Sequence, residues 1–366
     1  MTFHERRIGV LTGGGDCPGL NAVIRAVTKT VQNAYGATVV GIEDGFEGLV
    51  EGHTHELRHQ EVSGILGLGG TILGSSNRGD PWHYPSEVGQ GRVEIHDVAY
   101  KAIRNFGQWG LDALVAIGGD GTMHIANRLC DAGLPVVGVP KTIDNDVPGT
   151  DVTFGFDTAV SIVCGAIDRL ATTASSHHRV MVVEVMGRYA GWIALMGGVS
   201  GGADVILIPE IAFTWDAVFR KVHERQTQGK RFTIVCVAEG AKLPEGGEVV
   251  RELDVKRTDA KRLGGIGEVV AQTIEAGTGH ETRATVLGHL QRGGPPTAAD
   301  RVLGTRFGTA AAHAACSGKS GIMVALRDCG ITPVPLSEAT GPLRTVPKEH
   351  DLVAAARAVG TSFGDE

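Results

Sequence analysis

The sequence predicts an α/β fold, a mostly parallel sheet with helices on both faces. Short β-branched runs alternate along the chain with longer stretches of helical spacing. Glycine clusters fall just past the ends of several of those runs, where open α/β sheets bind their ligands. Glycine is also unusually frequent, 54 of 366 residues, about twice its ordinary share of roughly 7%. It falls singly or in pairs beside apolar runs, without the three-residue period of collagen, and so marks tight loops at strand ends.

Taken in order, the runs at 8–11, 39–42, 114–117, 136–139, 180–185, 205–208, 234–237, 284–287 and 322–326 read as buried strands. A helix begins near Leu20. Another covers 156–175, with Val160, Val163, Ile167 and Leu170 at helical spacing, and a last one covers 351–359. Residues 243–265 are polar and charged and read as an insertion. The tail after Ile331 reads as a connection rich in Pro, Thr and Gly. This length makes two domains or one large one. With 42% hydrophobic and 20% charged residues, the chain has the makings of a sizeable core, which excludes wholesale disorder.

A formal net charge of −7 gives no support to a nucleic-acid or membrane-surface partner. An anionic ligand must be held by local groupings of Arg, Lys and backbone N–H. The six cysteines form no C-x-x-C pair and read as buried free thiols in a reducing cytosol, not as a disulfide frame or zinc site. Residues 1–10 are polar and then enter a strand-like run, which is no signal peptide. No apolar stretch approaches the roughly 20 residues that span a bilayer.

Four constellations carry chemistry. The first is Thr12-Gly13-Gly14-Gly15-Asp16-Cys17-Pro18-Gly19, between a strand and a helix. It fits a phosphate cradle and a plain tight turn equally. Pro18 spoils a dinucleotide fingerprint, and the Gly-Lys-Ser of 318–320 is not a P-loop because His313 stands at its first glycine position. The second is Gly118-Gly119-Asp120-Gly121-Thr122. It sets a carboxylate among open amides at a strand end, which suits an Mg²⁺–phosphate site or a helix cap. The third, Lys141-Thr142-Ile143-Asp144-Asn145-Asp146, places two carboxylates two residues apart, with a lysine three residues before the first. That is a compact acid–base site, although Asx-rich turns share the composition. The fourth is a set of cations near strand ends: Arg179, Arg188, Arg283, His289 and Arg292. Each alone suits a surface ion pair, whereas together they suit phosphate. The H-E-x-x-H segment from His55 to His59 is a chance match to a zinc-protease pattern, since no amphipathic helix surrounds it.

Together these blocks resemble the bacterial 6-phosphofructokinase family, in particular its mixed-substrate clade using ATP or diphosphate, along nearly the whole chain to about Leu326. The resemblance rests on Gly14-Gly15-Asp16, residues 118–122, 141–146 and 182–191, Ala238-Glu239-Gly240 and residues 282–294. It implies two doubly wound three-layer α/β domains with mostly parallel sheets and an active site in the cleft between them. The phosphoryl-donor domain would comprise 1–155 plus about 291–341, and the sugar-phosphate domain about 156–290 plus 342–366. The implied reaction is transfer of a phosphoryl group from ATP to the 1-hydroxyl of fructose 6-phosphate, a glycolytic step requiring Mg²⁺. The alternative is a diphosphate-dependent phosphotransferase.

The roles carried over are these. Asp144 is the general base, with Thr142 and Arg188 also catalytic. Gly15, Arg78, Gly119, Asp120, Gly121, Thr122 and Lys141 bind the donor, and Asp120 holds the metal. Thr142, Asp144, Asp146, Met186, Gly187, Arg188, Glu239, His289 and Arg292 bind the sugar phosphate. Arg179 and Arg283 are lent by a neighbouring subunit, so a cytoplasmic homo-oligomer is implied, a dimer or tetramer. Asn77 stands where the family has its donor-side arginine, with Arg78 one residue later. At the family's effector site Arg25 and Lys230 match, but His53, Ala171 and Gln228 replace arginines and Lys29 replaces another. Weak regulation by ADP and phosphoenolpyruvate follows. Gly121 leaves room for adenosine, while Lys141 is the residue of diphosphate-using members. Sterics at 121 favour ATP.

Overall fold

The computed structural model describes residues 5–87, 92–253 and 261–366. Residues 1–4 of the polar N-terminal segment and 254–260 within the 243–265 insertion lie outside them.

The chain runs β1 (Arg7–Thr12), α1 (Leu20–Tyr35), β2 (Thr38–Ile42), α2 (Phe46–Glu51), β3 (Thr54–Glu56), β4 (Tyr84–Glu87), β5 (Val93–His96), α3 (Ala99–Gln108), β6 (Ala113–Gly118), α4 (Asp120–Asp131) and β7 (Val136–Pro140). It continues through α5 (Phe156–His177), β8 (Val180–Val185), α6 (Trp192–Gly201), β9 (Val205–Leu207), α7 (Trp215–Thr227), β10 (Thr233–Ala238), β11 (Val250–Leu253), β12 (Lys261–Leu263), α8 (Ile266–Thr278) and β13 (Thr282–Val286). It closes with α9 (Ala298–Cys316), β14 (Ile322–Arg327), β15 (Gly330–Pro335) and α10 (Asp351–Ala358).

Two sheets organise the molecule. The larger has the order β15-β14-β7-β6-β1-β2-β3, and its inner pairs are parallel. The smaller, β13-β8-β10-β9, is parallel throughout. Alternate residues of each strand feed opposite faces. In the larger sheet Ile8, Val10, Val115, Ile117, Val137 and Val139 pack toward α1 and α9, while Leu11, Leu114, Ala116 and Val136 pack toward α2, α3 and α4. In the smaller sheet Met181, Val183 and Val185 face α5 and α6, and Val180 and Val182 face α7 and α8. Both sheets are therefore covered on both faces, which is why their strands read as nearly continuous apolar runs. One buried cluster joins α1 and α9 to α5 and α6, so the two halves share a core.

The nine predicted strands are present, with β13 shifted two residues toward Thr282. Several short strands were not foreseen. β3 adds antiparallel to β2, carrying His55 on a sheet edge, where its ring meets Glu43 at 2.7 Å; the H-E-x-x-H segment is therefore not a helix. β15 returns antiparallel on β14 where the sequence suggested a connection. Its two prolines suit an edge strand, whose outer amides have no ladder partner to lose. The cysteine expectation needs a correction. Cys17, Cys236 and Cys316 are buried, but Cys130 and Cys164 are half-buried and Cys329 is exposed, because the tight turn between β14 and β15 carries it outward. Among the described residues no helix is long and apolar enough to cross a membrane.

Candidate active site

The glycine loop after β1 is tied to both sides of the site. Gly13 donates its N–H to the Ile117 carbonyl at 2.9 Å, and Gly14, at φ +76°, donates to the Ser76 carbonyl at 3.3 Å. The Lys141 ammonium donates to the Gly15 carbonyl, and Arg292 Nη1 donates to the Asp16 carbonyl at 3.1 Å. A Cβ at Gly15 would lie 2.8 Å from Arg292 Nη1, so a side chain there would push the guanidinium aside. Arg292, expected on the sugar phosphate, thus leans on the donor loop. Burial lowers the Lys141 pKa to about 8, with the Arg292 charge pulling the same way.

Asp120 opens α4, with Oδ1 3.1 Å from His124 Nδ1. Burial raises its pKa and the His124 charge opposes this. Thr122 is buried and wedged between two glycines: a Cβ at Gly13 or Gly118 would meet its hydroxyl at 2.6 or 2.2 Å. Gly119 sits against the Lys141 backbone, its would-be Cβ 3.2 Å from that carbonyl. Gly121 differs from all of these. It is exposed, and a Cβ there would meet nothing within 4 Å.

The turn after β7 is built by Asn145. It adopts φ +54°, a left-handed conformation that Asn tolerates, and its Oδ1 accepts the Thr153 N–H at 3.0 Å. The Thr153 hydroxyl donates to the Thr142 carbonyl at 2.7 Å, and the Asp144 N–H donates to Thr142 Oγ1 at 3.0 Å. The Asp144 side chain is left to the site: its Oδ1 is buried and makes no hydrogen bond among the described residues. Burial raises its pKa, against the opposing charges of Arg292, Lys141 and Arg188. Burial and then the Asp144 charge push Asp146 up to about 7, with Asp120 adding to the effect.

The smaller sheet contributes from its own carboxyl ends. After β8, the Met186 N–H donates to Gln291 Oε1 at 3.3 Å. Gly187 takes φ +122° with its would-be Cβ 2.8 Å from the Ala190 carbonyl, and the Arg188 guanidinium lies 4.8 Å over the Tyr189 ring. After β10, burial raises the Glu239 pKa to about 7, with Asp144 and Glu184 adding and Arg292 and Arg188 opposing. After β13, a single turn, Gly288–Arg292, carries exposed His289 together with Arg292. Loops from both sheets therefore bring Lys141, Asp146, Arg188, Glu239 and Arg292 within electrostatic reach of Asp144.

Three expected residues stand apart. Arg179 precedes β8 and Arg283 lies at the start of β13, at the opposite end of that sheet. Both pair with Glu281, at 2.9 and 2.5 Å. Arg78 lines a depression with Glu47 and Tyr84, while Asn77 Oδ1 lies 3.8 Å from the Cβ position of Gly14. Sequence reasoning missed two residues that shape the site. Asn145 was visible only as one more polar residue in an acidic block. Arg344 lay in a tail without a motif, yet it donates to the Asn145 carbonyl at 3.1 Å.

A phosphofructokinase family model matches residues 7–315. The chain belongs to the phosphofructokinase family. It is 53% identical over 367 residues to an ATP-dependent 6-phosphofructokinase of Chloroflexus aggregans, covering all of both chains. It is 54% identical over 347 residues to a pyrophosphate–fructose 6-phosphate 1-phosphotransferase of Amycolatopsis mediterranei, covering 94% of this chain and 97% of that one. Among solved structures it superposes on Pichia pastoris phosphofructokinase in the T-state with a TM-score of 0.79 and 32% identity. That match covers 98% of this chain and 37% of the longer yeast chain. Phosphofructokinase membership accounts for the strand-end glycines, the carboxylate turn and the cation cluster together.

Proposed function

We propose that this phosphofructokinase transfers the terminal phosphoryl group of ATP to the 1-hydroxyl of fructose 6-phosphate, giving fructose 1,6-bisphosphate and ADP. The observation that carries the reading is Asp144, a half-buried residue whose buried Oδ1 makes no hydrogen bond among the described residues and which is surrounded by the charges of Lys141, Arg188 and Arg292. Asp144 takes the sugar hydroxyl proton as the O1–P bond forms and the donor's bridging P–O bond breaks. The cations hold Asp144 ionisable and offset the charge of the transferring group, which is most of what phosphoryl transfer asks of a protein. Thr142 sets the turn that aims the base. Met186, Gly187, Arg188, Glu239 and His289 receive the sugar phosphate. Gly15, Gly119, Asp120, Gly121, Thr122 and Lys141 receive the donor, with Arg78 on its outer side.

The carboxylates fit a divalent cation. The Asp120 Oδ1 atom is buried and accepts no hydrogen bond among the described residues, which suits Mg²⁺, a cation that takes one or two carboxylates and completes its shell with water and phosphate oxygens. Asp120 would hold it, with Asp146 nearby. Burial raises Asp146 most, and the neighbouring Asp144 and Asp120 charges add to it; that added repulsion is a charge imbalance a cation would relieve. Bound there, Mg²⁺ would neutralise donor phosphate charge.

We assign residues 1–155 and about 291–341 to the donor half, and about 156–290 and 342–366 to the sugar half. The enzyme is placed in the cytoplasm as a homo-oligomer, dimer or tetramer, with Arg179 and Arg283 serving a neighbour's sugar site. Lys141 beside the donor loop, together with the diphosphate-using Amycolatopsis relative, supports diphosphate as a second reading for the donor. Initial rates with fructose 6-phosphate, offering each donor separately with Mg²⁺, decide between them. Turnover with ATP is expected, preference for diphosphate selects the second reading, and turnover with neither overturns both.

A further inference from the structure

We propose that Arg344 is a positioning residue that straps the catalytic turn to the sugar-phosphate loop and so fixes the distance between Asp144 and Arg188. The inference rests on the proposed phosphoryl transfer for its kinetic consequence, but not for its structural one.

Residues 341–346 run as irregular backbone between β15 and α10, across two segments that come from different sheets. On one side the strap grips the turn after β7. Arg344 Nη1 donates to the Asn145 carbonyl at 3.1 Å, and its backbone N–H donates to the Asp146 carbonyl at 2.8 Å. These are the two residues following Asp144. On the other side it grips the start of α6. The Arg344 guanidinium lies 4.3 Å over the Trp192 ring, and Trp192 Nε1–H donates to the Arg344 carbonyl at 2.9 Å. Two residues on, the buried Val346 donates its N–H to Glu210 Oε1 at 2.8 Å, and the same carboxylate accepts the Gly191 N–H at 2.9 Å. Gly191 and Trp192 end the loop that begins with Met186, Gly187 and Arg188.

The chemistry of the side chain suits this task. A flat guanidinium stacks on an aromatic face while its edge donates to a carbonyl, which an ammonium on a flexible stem does not reproduce. Burial lowers the Arg344 pKa, against the opposing charge of Asp151, and the indole face together with the Asn145 carbonyl compensates the desolvated group. Each half of the site retains its own phosphate-binding groups without the strap. What the strap adds is register between base and sugar, and displacement of about 1 Å costs on the order of 10²-fold in rate.

The test compares Arg344→Ala, Arg344→Lys and Trp192→Phe with the natural protein, by steady-state kinetics and by hydrogen exchange. Arg344→Ala should lower kcat about 10- to 100-fold while the KM values for both substrates stay within about threefold, because ground-state binding survives and alignment does not. Arg344→Lys should recover only part of kcat. Trp192→Phe, which keeps a ring but loses the N–H donor, should fall between. Exchange in residues 142–147 and 186–192 should rise together in Arg344→Ala, with the remaining amides unchanged. A kcat within twofold of the natural enzyme, or exchange that rises in only one of the two segments or uniformly across the chain, overturns the strap. If the natural enzyme turns over fructose 6-phosphate with neither donor, the functional reading fails while the exchange measurement still decides for or against the strap.

Discussion

Asp144 carries the clearest single-residue expectation. Its Oδ1 is buried and makes no hydrogen bond among the described residues, and three cations oppose the upward pull of burial on its pKa. Asp144→Asn keeps the shape and removes the proton acceptor, so kcat should fall by at least about 10²-fold with little change in sugar affinity. Near-normal kcat in that variant would remove Asp144 as the base. Asp146 makes a pH-dependent prediction. Its folded pKa is about 7, above the roughly 3.9 of an unfolded Asp. Between those values the folded chain binds more protons, so stability falls as pH rises through that window. Lys141, lowered to about 8, acts only at higher pH, where stability recovers. In metal-free buffer, Asp146→Asn should therefore raise Tm more at pH 8 than at pH 5, and equal increments would exclude ionisation of Asp146 as the cause. Gly121 tests donor choice cleanly. A Cβ there meets nothing within 4 Å beyond its chain neighbours and its own helix backbone, and an acidic residue in the first turn of a helix is favourable. Gly121→Asp should leave Tm intact while cutting kcat/KM for ATP by at least about tenfold, through lost space and like-charge repulsion. Intact ATP use would refute the steric reading of this position.

At the scale of elements, legibility in the sequence followed burial. β1, β6 and β7 are covered on both faces and read as apolar runs. β3 and β15 are edge strands with polar or proline residues and lack that signal. β13 begins two residues before its predicted start because Thr282 and the exposed Arg283 interrupt the apolar pattern. The acid block 142–146 was legible as chemistry, since carboxylates at that density after a buried strand have few structural uses. Its geometry was not, because the left-handed turn at Asn145 depends on Thr153, which is eight residues away, and on Arg344, which is 199 away. The direction of Arg292 was hidden for the same reason: a guanidinium goes where packing leaves space, and here Gly15 leaves it. The loop after β8 has its own local requirement. Gly187 at φ +122° leaves its would-be Cβ 2.8 Å from the Ala190 carbonyl. Gly187→Ala should cost about 1–3 kcal/mol of stability and displace Arg188, measurable as lowered Tm with a raised KM for the sugar phosphate. Unchanged Tm and KM would mean the loop relaxes without consequence.

The molecule as a whole raises the question of where Arg179 and Arg283 act. The loops that gather Asp144, Arg188, Glu239 and Arg292 leave the carboxyl ends of the strands. Arg179 precedes β8 and Arg283 lies near the amino end of β13. A strand of six residues spans about 20 Å, farther than an arginine side chain reaches, so neither cation serves the site of its own chain. Both converge on Glu281 at the surface, a weak exposed pairing that an incoming phosphate can replace. If these arginines complete a neighbour's sugar site across a two-fold interface, each site needs a base from one chain and a cation from the other. Asp144→Asn chains lack the base but still lend Arg283, and Arg283→Ala chains lack the lent cation but keep the base. Each variant alone should be nearly inactive. In a hybrid pair, one of the two sites takes Asp144 from the second variant and Arg283 from the first, and is whole. Random mixing of equal amounts, after dissociation and reassembly, should then recover about a quarter of natural activity, since half the pairs are hybrid and half their sites are intact. Differently tagged chains allow the hybrids to be isolated before assay. Isolated hybrids with no more activity than their parents would show that the sites are not shared and would assign Arg179 and Arg283 to the surface ion pair with Glu281 alone.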